Sequence, residues 1–300
     1  MVEVIKGALS LGLLWAIMTI GVYITYRILS IADLTVEGSI TLGAAIAAHA
    51  ITSGMNPYLG TLIALLGGMA AGLCTGLLHT KLKIPALLSG ILTMIGLYSI
   101  NLRVMGKANI SLLRMENVYT VFENMGLEPT WATITLGAIS VAAIVCLLYW
   151  FFGTELGCAI RATGNNPYMV RAQGINTNTM IIIGLVISNG LVSLGGALIA
   201  QNQNFSDIGM GTGSIVIGLA SVIIGEVLFG KRNFFMRLTS LVFGAITYRI
   251  IIAFVLKLGM HSNDLKLFTA ITVAIALSLP MIKDFVNPPK IAIGEGEQDA

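Results

Sequence analysis

The chain is a succession of long apolar runs, and this alone restricts it to a fold that lives in lipid. A helix needs roughly 20 apolar residues to cross about 30 Å of hydrocarbon, and about nine runs approach that length. They are Ala8–Leu29, a short Ser39–Ser53, Tyr58–Thr80, Pro85–Val104, Trp131–Phe152, Met180–Gln201, Thr212–Phe229, Leu238–Leu256 and Leu267–Ile282. Within hydrocarbon, backbone N–H and C=O groups must find partners inside the segment, which makes helices the solution for such runs. Only 10% of the 300 residues are charged, against about a quarter in a soluble domain. So few charges cannot cover a water-facing surface. The expected fold is an all-α integral membrane protein, with lipid as the partner of most of its surface. The run from Ala8 is too long for a signal-peptide core, and no small-x-small cleavage site follows it. It reads as a span.

Lysine and arginine in short loops favour the cytoplasm. One set of alternate loops carries Lys81 and Lys83, Arg161 and Arg171, then Lys231, Arg232 and Arg237, and finally Lys283 and Lys290. The opposite face has Lys107, Arg114, Lys257 and Lys266, balanced by Glu116, Glu123, Glu128 and Asp264. This bias places the N-terminus outside and the acidic tail "GEGEQDA" inside. Residues 1–290 then form a transmembrane domain, and 291–300 a cytoplasmic tail. The net charge of +3 is small and scattered, so no nucleic-acid partner is expected.

An internal repeat fits this topology. "GSITLG" (Gly38–Gly43) recurs as "GSIVIG" (Gly213–Gly218), and "NPYLGTLIALLGG" (Asn56–Gly68) aligns loosely with "NFFMRLTSLVFGA" (Asn233–Ala245). An aspartate, Asp33 or Asp207, precedes each GSI motif. With alternating spans the two copies run in opposite directions, and inverted repeats of this kind place a substrate route at their interface. The short second span follows Asp33 and Glu37. Either this is an ordinary loop with Asp33 capping the next helix, or it is a broken helix whose polar turn lines a pathway. On the second reading Asp33, Thr35, Glu37 and Ser39 form one wall. Asn204, Asp207 and Ser214, from the amide-rich stretch Gln201–Ser214, form the other.

Chemistry-bearing motifs are few. "GEVLFGKR" (Gly225–Arg232) lacks the hydroxyl residue of a phosphate-binding loop and ends an apolar helix instead of opening one. It reads as an interface anchor. Gly68, Gly72 and Gly76 recur at every fourth position, which lets a second helix approach closely. Cys74, Cys146 and Cys158 suggest no disulfide framework. No two histidines share a metal-ligand spacing and no catalytic constellation is visible, so neither cofactor nor metal is expected. His49, His79, Asn101 and Asn189 read as interhelical hydrogen bonders. Arg249 is the best candidate for a functional buried charge.

One polar island interrupts the oil: "AIRATGNNPYMVRAQGINTNT" (Ala159–Thr179), with Arg161, Arg171, Gly164, Gly174 and the Asn165–Asn166–Pro167 turn. Pro167 favours a turn followed by a short helix, and the density of polar groups suits docking to a protein in water. The stretch "GCAIRATGNNPYMVRAQGIN" is similar to the cytoplasmic loop of permeases from binding-protein-dependent ABC importers, in the branched-chain amino-acid and ribose permease superfamily. "ADLTVEGSITLGA" and "GMGTGSIVIGLASVIIGEVLFG" resemble the same superfamily, and the likeness runs from about Leu9 to Ile282. One departure is Gly225–Glu226, where many relatives have a glycine pair. "DLTVEGS" is closest to a subfamily whose binding proteins are associated with aromatic amino acids or related small solutes.

The resemblance implies a permease of the vitamin-B12-importer type, paired with a second and identical permease subunit. Its partners would be cytoplasmic ABC ATPase subunits and an extracellular solute-binding lipoprotein. ATP hydrolysis would reside in the partner, so the chain itself would not be an enzyme. Arg161, Ala162, Gly164, Asn165, Asn166, Pro167, Arg171 and Gly174 would couple to the ATPase within residues 159–179. The competing reading is an ion-coupled secondary transporter that uses Asp33 or Glu37.

Overall fold

The computed structural model describes residues 2–230, 233–257, 267–274 and 278. The first helix, α1 (Val2–Tyr23), runs into a π-helical turn, Ile24–Ile28. Then come α2 (Thr35–Thr52), α3 (Pro57–Thr80), α4 (Ala86–Met105) and a three-residue strand β1 (Asn109–Ser111). A short α5 (Thr120–Asn124) precedes α6 (Pro129–Gly153). The polar island folds as α7 (Glu155–Asn165) and α8 (Pro167–Ala172), followed by α9 (Thr177–Gln203), β2 (Phe205–Asp207), α10 (Ser214–Phe229) and α11 (Phe234–Lys257).

Local chemistry sets the helix starts. Asn56 caps α3, its side chain accepting from Tyr58 N at 2.9 Å, with Pro57 as the first helical residue. Thr154 caps α7, Asn166 caps α8 and Asn176 caps α9 in the same manner. Each cap satisfies an N–H group that the helix cannot.

Among the described residues, six helices are long and apolar enough to cross a membrane, against the nine runs read from the sequence. The seventh run forms α10, at 16 residues a short helix. The second run forms α2, where 14 of 18 residues are buried by other helices. Both have the length of interrupted spans. Of Leu267–Ile282, residues 267–274 are helical, while 275–277 and 279–282 lie outside the described residues, as do Lys231, Arg232 and the acidic tail. The expected all-α class needs one addition. β1 and β2 pair antiparallel, with Asn109 opposite Asp207 and Ile110 opposite Ser206. The loops after α4 and after α9 end side by side, so their free backbone groups satisfy one another.

Burial separates inner helices from outer ones. The apolar window of α1 is 83% buried and that of α9 67%, whereas α4 is 28% and α6 22% buried. Exposed Leu88, Leu92 and Ile95 on α4, and Ile139 and Leu147 on α6, suit contact with lipid tails. Gly68, Gly72 and Gly76 perform the packing expected of them. A Cβ at Gly68 would overlap Asn189 O, one at Gly72 would overlap Leu185 O, and Gly76 faces Ile182. Three small residues thus bring α3 against the backbone of α9. The phosphate-loop lookalike is also explained by packing, since a Cβ at Gly225 would overlap Ser240 O on α11.

The two repeats share an element order: a short helix, a brief connection, then a 24-residue helix after an asparagine. Their local geometry matches as well. Asp33 Oδ1 accepts from Thr35 N at 2.9 Å, and Asp207 Oδ1 accepts from Gly209 N at 2.8 Å, the same turn two residues on.

Candidate functional site

Two regions merit attention, one at the island and one where the GSI motifs meet. The island is held against the core on one side and presents polar and apolar groups on the other. α7 docks through Gly164, where a Cβ would overlap the carbonyl oxygen of Ile28 in the π-helical turn. Gly164 is helical, so its glycine is required by close approach and not by an unusual backbone angle. Gly174 does require glycine freedom: its φ of +83° closes the turn between α8 and α9.

Arg161 bends back toward its own chain. Its guanidinium lies 5.2 Å from the Phe234 ring, and Nη2 is 3.3 Å from Cys158 Sγ. Arg171 Nε donates to Thr177 Oγ1 at 2.8 Å, bracing the start of α9. Ala162 is half-buried, whereas Asn165 and Asn166 are exposed. Asn166 Oδ1 accepts from Met169 N at 3.1 Å, and Pro167 opens α8, giving the short helix read from the Asn-Asn-Pro turn. Sequence reasoning missed Tyr168, 79% exposed, and Met169, 46% exposed, which give α8 an apolar tip. An apolar pair just past a helix cap in a polar segment was the available signal.

In the second region the GSI motifs touch. Glu37 Oε1 accepts from Gly213 N at 3.0 Å, joining the first turn of α2 to the start of α10. The other expected wall residues divide. Asp33, Thr35, Ser39 and Ser214 are buried within the chain, and Glu37 and Asn204 are partly exposed. Asp33 Oδ2 accepts from Asn189 Nδ2 at 2.8 Å, and Asn189 Oδ1 accepts from Ser39 Oγ at 2.7 Å. Thr35, Thr75 and Thr93 continue this network through hydroxyl contacts of 2.7 and 2.9 Å. Asn189 lies twelve residues into α9, about 18 Å along it at 1.5 Å per residue, which is near mid-membrane. The network therefore fastens α2, α3, α4 and α9 together at depth. Asn204 is the left-handed cap of α9, its carbonyl accepting from Leu112 N at 2.8 Å. Asp207 sits on the β-ribbon with Asn109, 3.2 Å away, and stands apart from the buried network.

Beside Glu37 a cavity of about 380 Å³ opens between α2, α4 and the turn before α10. Thr41, Tyr98, Ser99, Asn101 and Thr212 line it together with Met94 and Ile95. Exposed Tyr98, Ser99 and Thr212 are polar groups on a face otherwise apolar enough for lipid. Asn101 Nδ2 donates to Gly38 O at 3.3 Å, and its Oδ1 is buried without a partner.

Two charged residues also resolve. Glu226 receives Arg27 in a bidentate pair, Nε at 2.9 Å and Nη2 at 2.7 Å, so the departure from Gly-Gly is matched by a cation on the π-helical turn. Arg249 stacks on Trp15, its guanidinium carbon 4.1 Å from the ring centre. Among the described residues no group of three His, Cys, Asp or Glu side chains could hold a metal.

Comparison with known proteins gives this geometry its context. Residues 4–278 match the family described as branched-chain amino acid transport system / permease component. The chain belongs to this family. It is 45% identical over 269 residues to a tyrosine transport system permease protein of Clostridioides difficile (strain R20291), covering 90% of this chain and 88% of that one. It is 25% identical to a ribose import permease protein of Escherichia coli (strain K12), covering 91% and 81%. Among solved structures, a metal-chelate type ABC transporter in an inward-facing conformation aligns with a TM-score of 0.53 at 14% identity, over 93% of this chain and 85% of that one. PsaBC from Streptococcus pneumoniae, in complex with a Fab, gives 0.51 at 16% identity, over 94% and 91%. The protein is thus a multi-pass permease subunit of an ABC importer in the cell membrane, working with separate ATPase and binding-protein partners. Family membership displaces the ion-coupled reading; of its two proposed carboxylates, Asp33 is tied into the buried network and Glu37 accepts from Gly213 N.

Proposed function

We propose that two identical copies of this chain form an importer for an aromatic amino acid, in a permease fold of the vitamin-B12-importer type. The cavity beside Glu37 carries this reading. Polar side chains at membrane depth are costly unless they face water or a partner, and here Tyr98, Ser99 and Thr212 face outward from the chain. A second subunit laid over this face would enclose a hydrated seam between the copies. The path would run along Glu37, Thr41, Ser99 and Thr212, with Asp33, Thr35, Ser39 and Ser214 as its rigid backing. Asn204 and Asp207 belong to its rim beside the β-ribbon, where a binding protein would deliver solute.

The coupling surface would be α7 and α8. Arg161, Ala162, Gly164, Asn165, Asn166, Pro167, Arg171 and Gly174 shape and hold the element, and Tyr168 and Met169 fill a cleft of the ATPase. Movement of α8 would pass through Gly164 to the π-helical turn and into α1. The high identity to a tyrosine permease over nearly the whole chain supports an aromatic cargo. The test is uptake into liposomes holding the permease, its ATPase and its binding protein, with tyrosine, phenylalanine, leucine and ribose compared. Saturable, ATP-dependent uptake confined to the aromatic pair supports the proposal, and equal uptake of ribose refutes it. A Ser99→Cys variant should crosslink to its own copy with a short bifunctional reagent, which tests the homodimer separately.

A further inference from the structure

The cavity between α2, α4 and the turn before α10 carries one fixed charge. Its volume, about 380 Å³, lies within the roughly 300–1,000 Å³ of ordinary ligand pockets. Among the described residues Glu37 lines it, and no lysine, arginine or histidine does. Glu37 Oε1 accepts from Gly213 N at 3.0 Å, which fixes the carboxylate at the start of α10. Among the described residues nothing donates to Oε2, and no cation pairs with the group. Glu37 sits two residues before Ser39, about 3 Å along the helix from the buried network. A carboxylate at this depth needs water or a cationic partner beside it.

α4 supplies a second acceptor and an apolar wall. Met94, Tyr98 and Asn101 recur at i, i+4 and i+7, and so share one face of the helix. Asn101 Nδ2 donates to Gly38 O, and a carbonyl can only accept, so the orientation of the amide is fixed. Asn101 Oδ1 is therefore left without a donor, in a side chain 1% exposed. A buried acceptor without a partner is uncommon in a folded chain and marks a place where a donor belongs. Exposed Ile95 and Tyr98 complete this wall.

We infer that Glu37 is the residue of the path that selects solutes carrying a primary ammonium group. The inference rests on the proposed importer function and adds the chemistry by which the path reads its cargo. An ammonium group has three donors and no acceptor. It donates to Glu37 Oε2, and a slight opening between α2 and α4 brings in Asn101 Oδ1 as the second acceptor. The ring of Tyr98 offers its face to the same cation, while Met94 and Ile95 receive the apolar part of the solute. In the pair of subunits each copy brings its own Glu37 to the seam, so a solute with a carboxylate alone meets repulsion from both walls. Holding Gly213 N accounts for one carboxylate oxygen and not for the charge, since a neutral glutamine would accept that bond equally well.

The test is equilibrium binding of radiolabelled probes to the permease–ATPase complex in nanodiscs, without the binding protein and its own selectivity. Two pairs of probes differ in the charged group: tyramine against phloretate, and isoamylamine against isocaproate. Wild type should bind tyramine about tenfold more tightly than phloretate, the worth of about one charge-assisted hydrogen bond. Glu37→Gln, which keeps the bond to Gly213 N, should reduce that preference to below about twofold, and Glu37→Asp should retain part of it. Wild type that binds neither member of each pair, or both equally, overturns the inference, and that comparison needs no variant to fold. A preference unchanged in Glu37→Gln overturns it as well. Ammonium preference in the aliphatic pair alone supports the role of Glu37 and removes the aromatic cargo. Uptake confined to aromatic amino acids with no ammonium preference does the reverse.

Discussion

Replacing Asn189 by leucine tests whether the buried network at mid-membrane holds the helices together or lines the solute path. The two side chains share branching and heavy-atom count, but leucine's methyl groups are bulkier, so at this fully buried site some overpacking adds to the polar loss. Three hydrogen bonds disappear: to Asp33 Oδ2 at 2.8 Å, to Leu185 O at 3.1 Å and from Ser39 Oγ at 2.7 Å. The Ser39 bond joins two membrane helices, where neutral bonds average about 0.6 kcal/mol; with the bond to Leu185 O, made within α9, the neutral pair contributes about 1 kcal/mol. The bond to the Asp33 carboxylate, which is charge-assisted and buried, contributes about 1.5–3 kcal/mol. The sum, about 2.5–4 kcal/mol, corresponds to a fall in Tm of about 5–8 °C at ~2 °C per kcal/mol for a chain of this size. Thermal unfolding of the purified permease in detergent measures it. Asp33→Asn removes the charge that Asn189 serves, so Asn189→Leu should cost less in that background, with a coupling of about 1–2 kcal/mol. A Tm change below about 2 °C, or strict additivity of the pair, refutes the fastening role. Transport by Asp33→Asn should survive wherever the protein folds, and abolished transport with unchanged Tm would return Asp33 to the path.

Gly164→Val should separate α7 from the π-helical turn, because its Cβ would overlap Ile28 O; ATPase activity should become independent of solute-loaded binding protein while the permease stays in the membrane. Wild-type stimulation in that variant contradicts the contact. Cysteines at Ser99 and Thr212 should react readily with water-soluble thiol reagents and those at Thr35 and Ser39 slowly, since the first pair is exposed and the second fully buried. The reverse order would move the path behind α2. Glu226→Gln should lower Tm by about 2–6 °C, for a pair worth about 1–3 kcal/mol with one half-exposed partner, and Arg27→Gln should add little to it. Independent effects would show that the two side chains do not act as a pair. The permease alone should not bind ATP at micromolar concentration, which equilibrium dialysis can check.

What could be read from the chain was what local chemistry decides. The Asn166–Pro167 step announced the start of α8, and the spacing of Gly68, Gly72 and Gly76 announced a close helix contact. Burial was harder. Thr35 and Ser39 look like path residues in a polar stretch, yet α2 is surrounded by helices and hides both hydroxyls. Composition along one helix does not reveal whether its neighbours are lipid or protein. The same limit applies to Gly164, whose partner is a carbonyl at the far end of α1, and to Arg27 and Glu226, separated by 199 positions. The ribbon β1–β2 was invisible because each strand has three residues and becomes a strand only by meeting the other.

The π-helical turn at Ile24–Ile28 has a mechanical consequence. Each residue of an α-helix advances the chain by 100°, and a π turn accommodates an additional residue without lengthening the helix by a full step. If it tightened to the α form, everything beyond it would rotate by about that angle, carrying Arg27 away from Glu226. The element against which α7 packs at Gly164 would therefore be able to convert a sideways displacement into torque. In such a device Arg27 and Glu226 act as a latch that opens by turning.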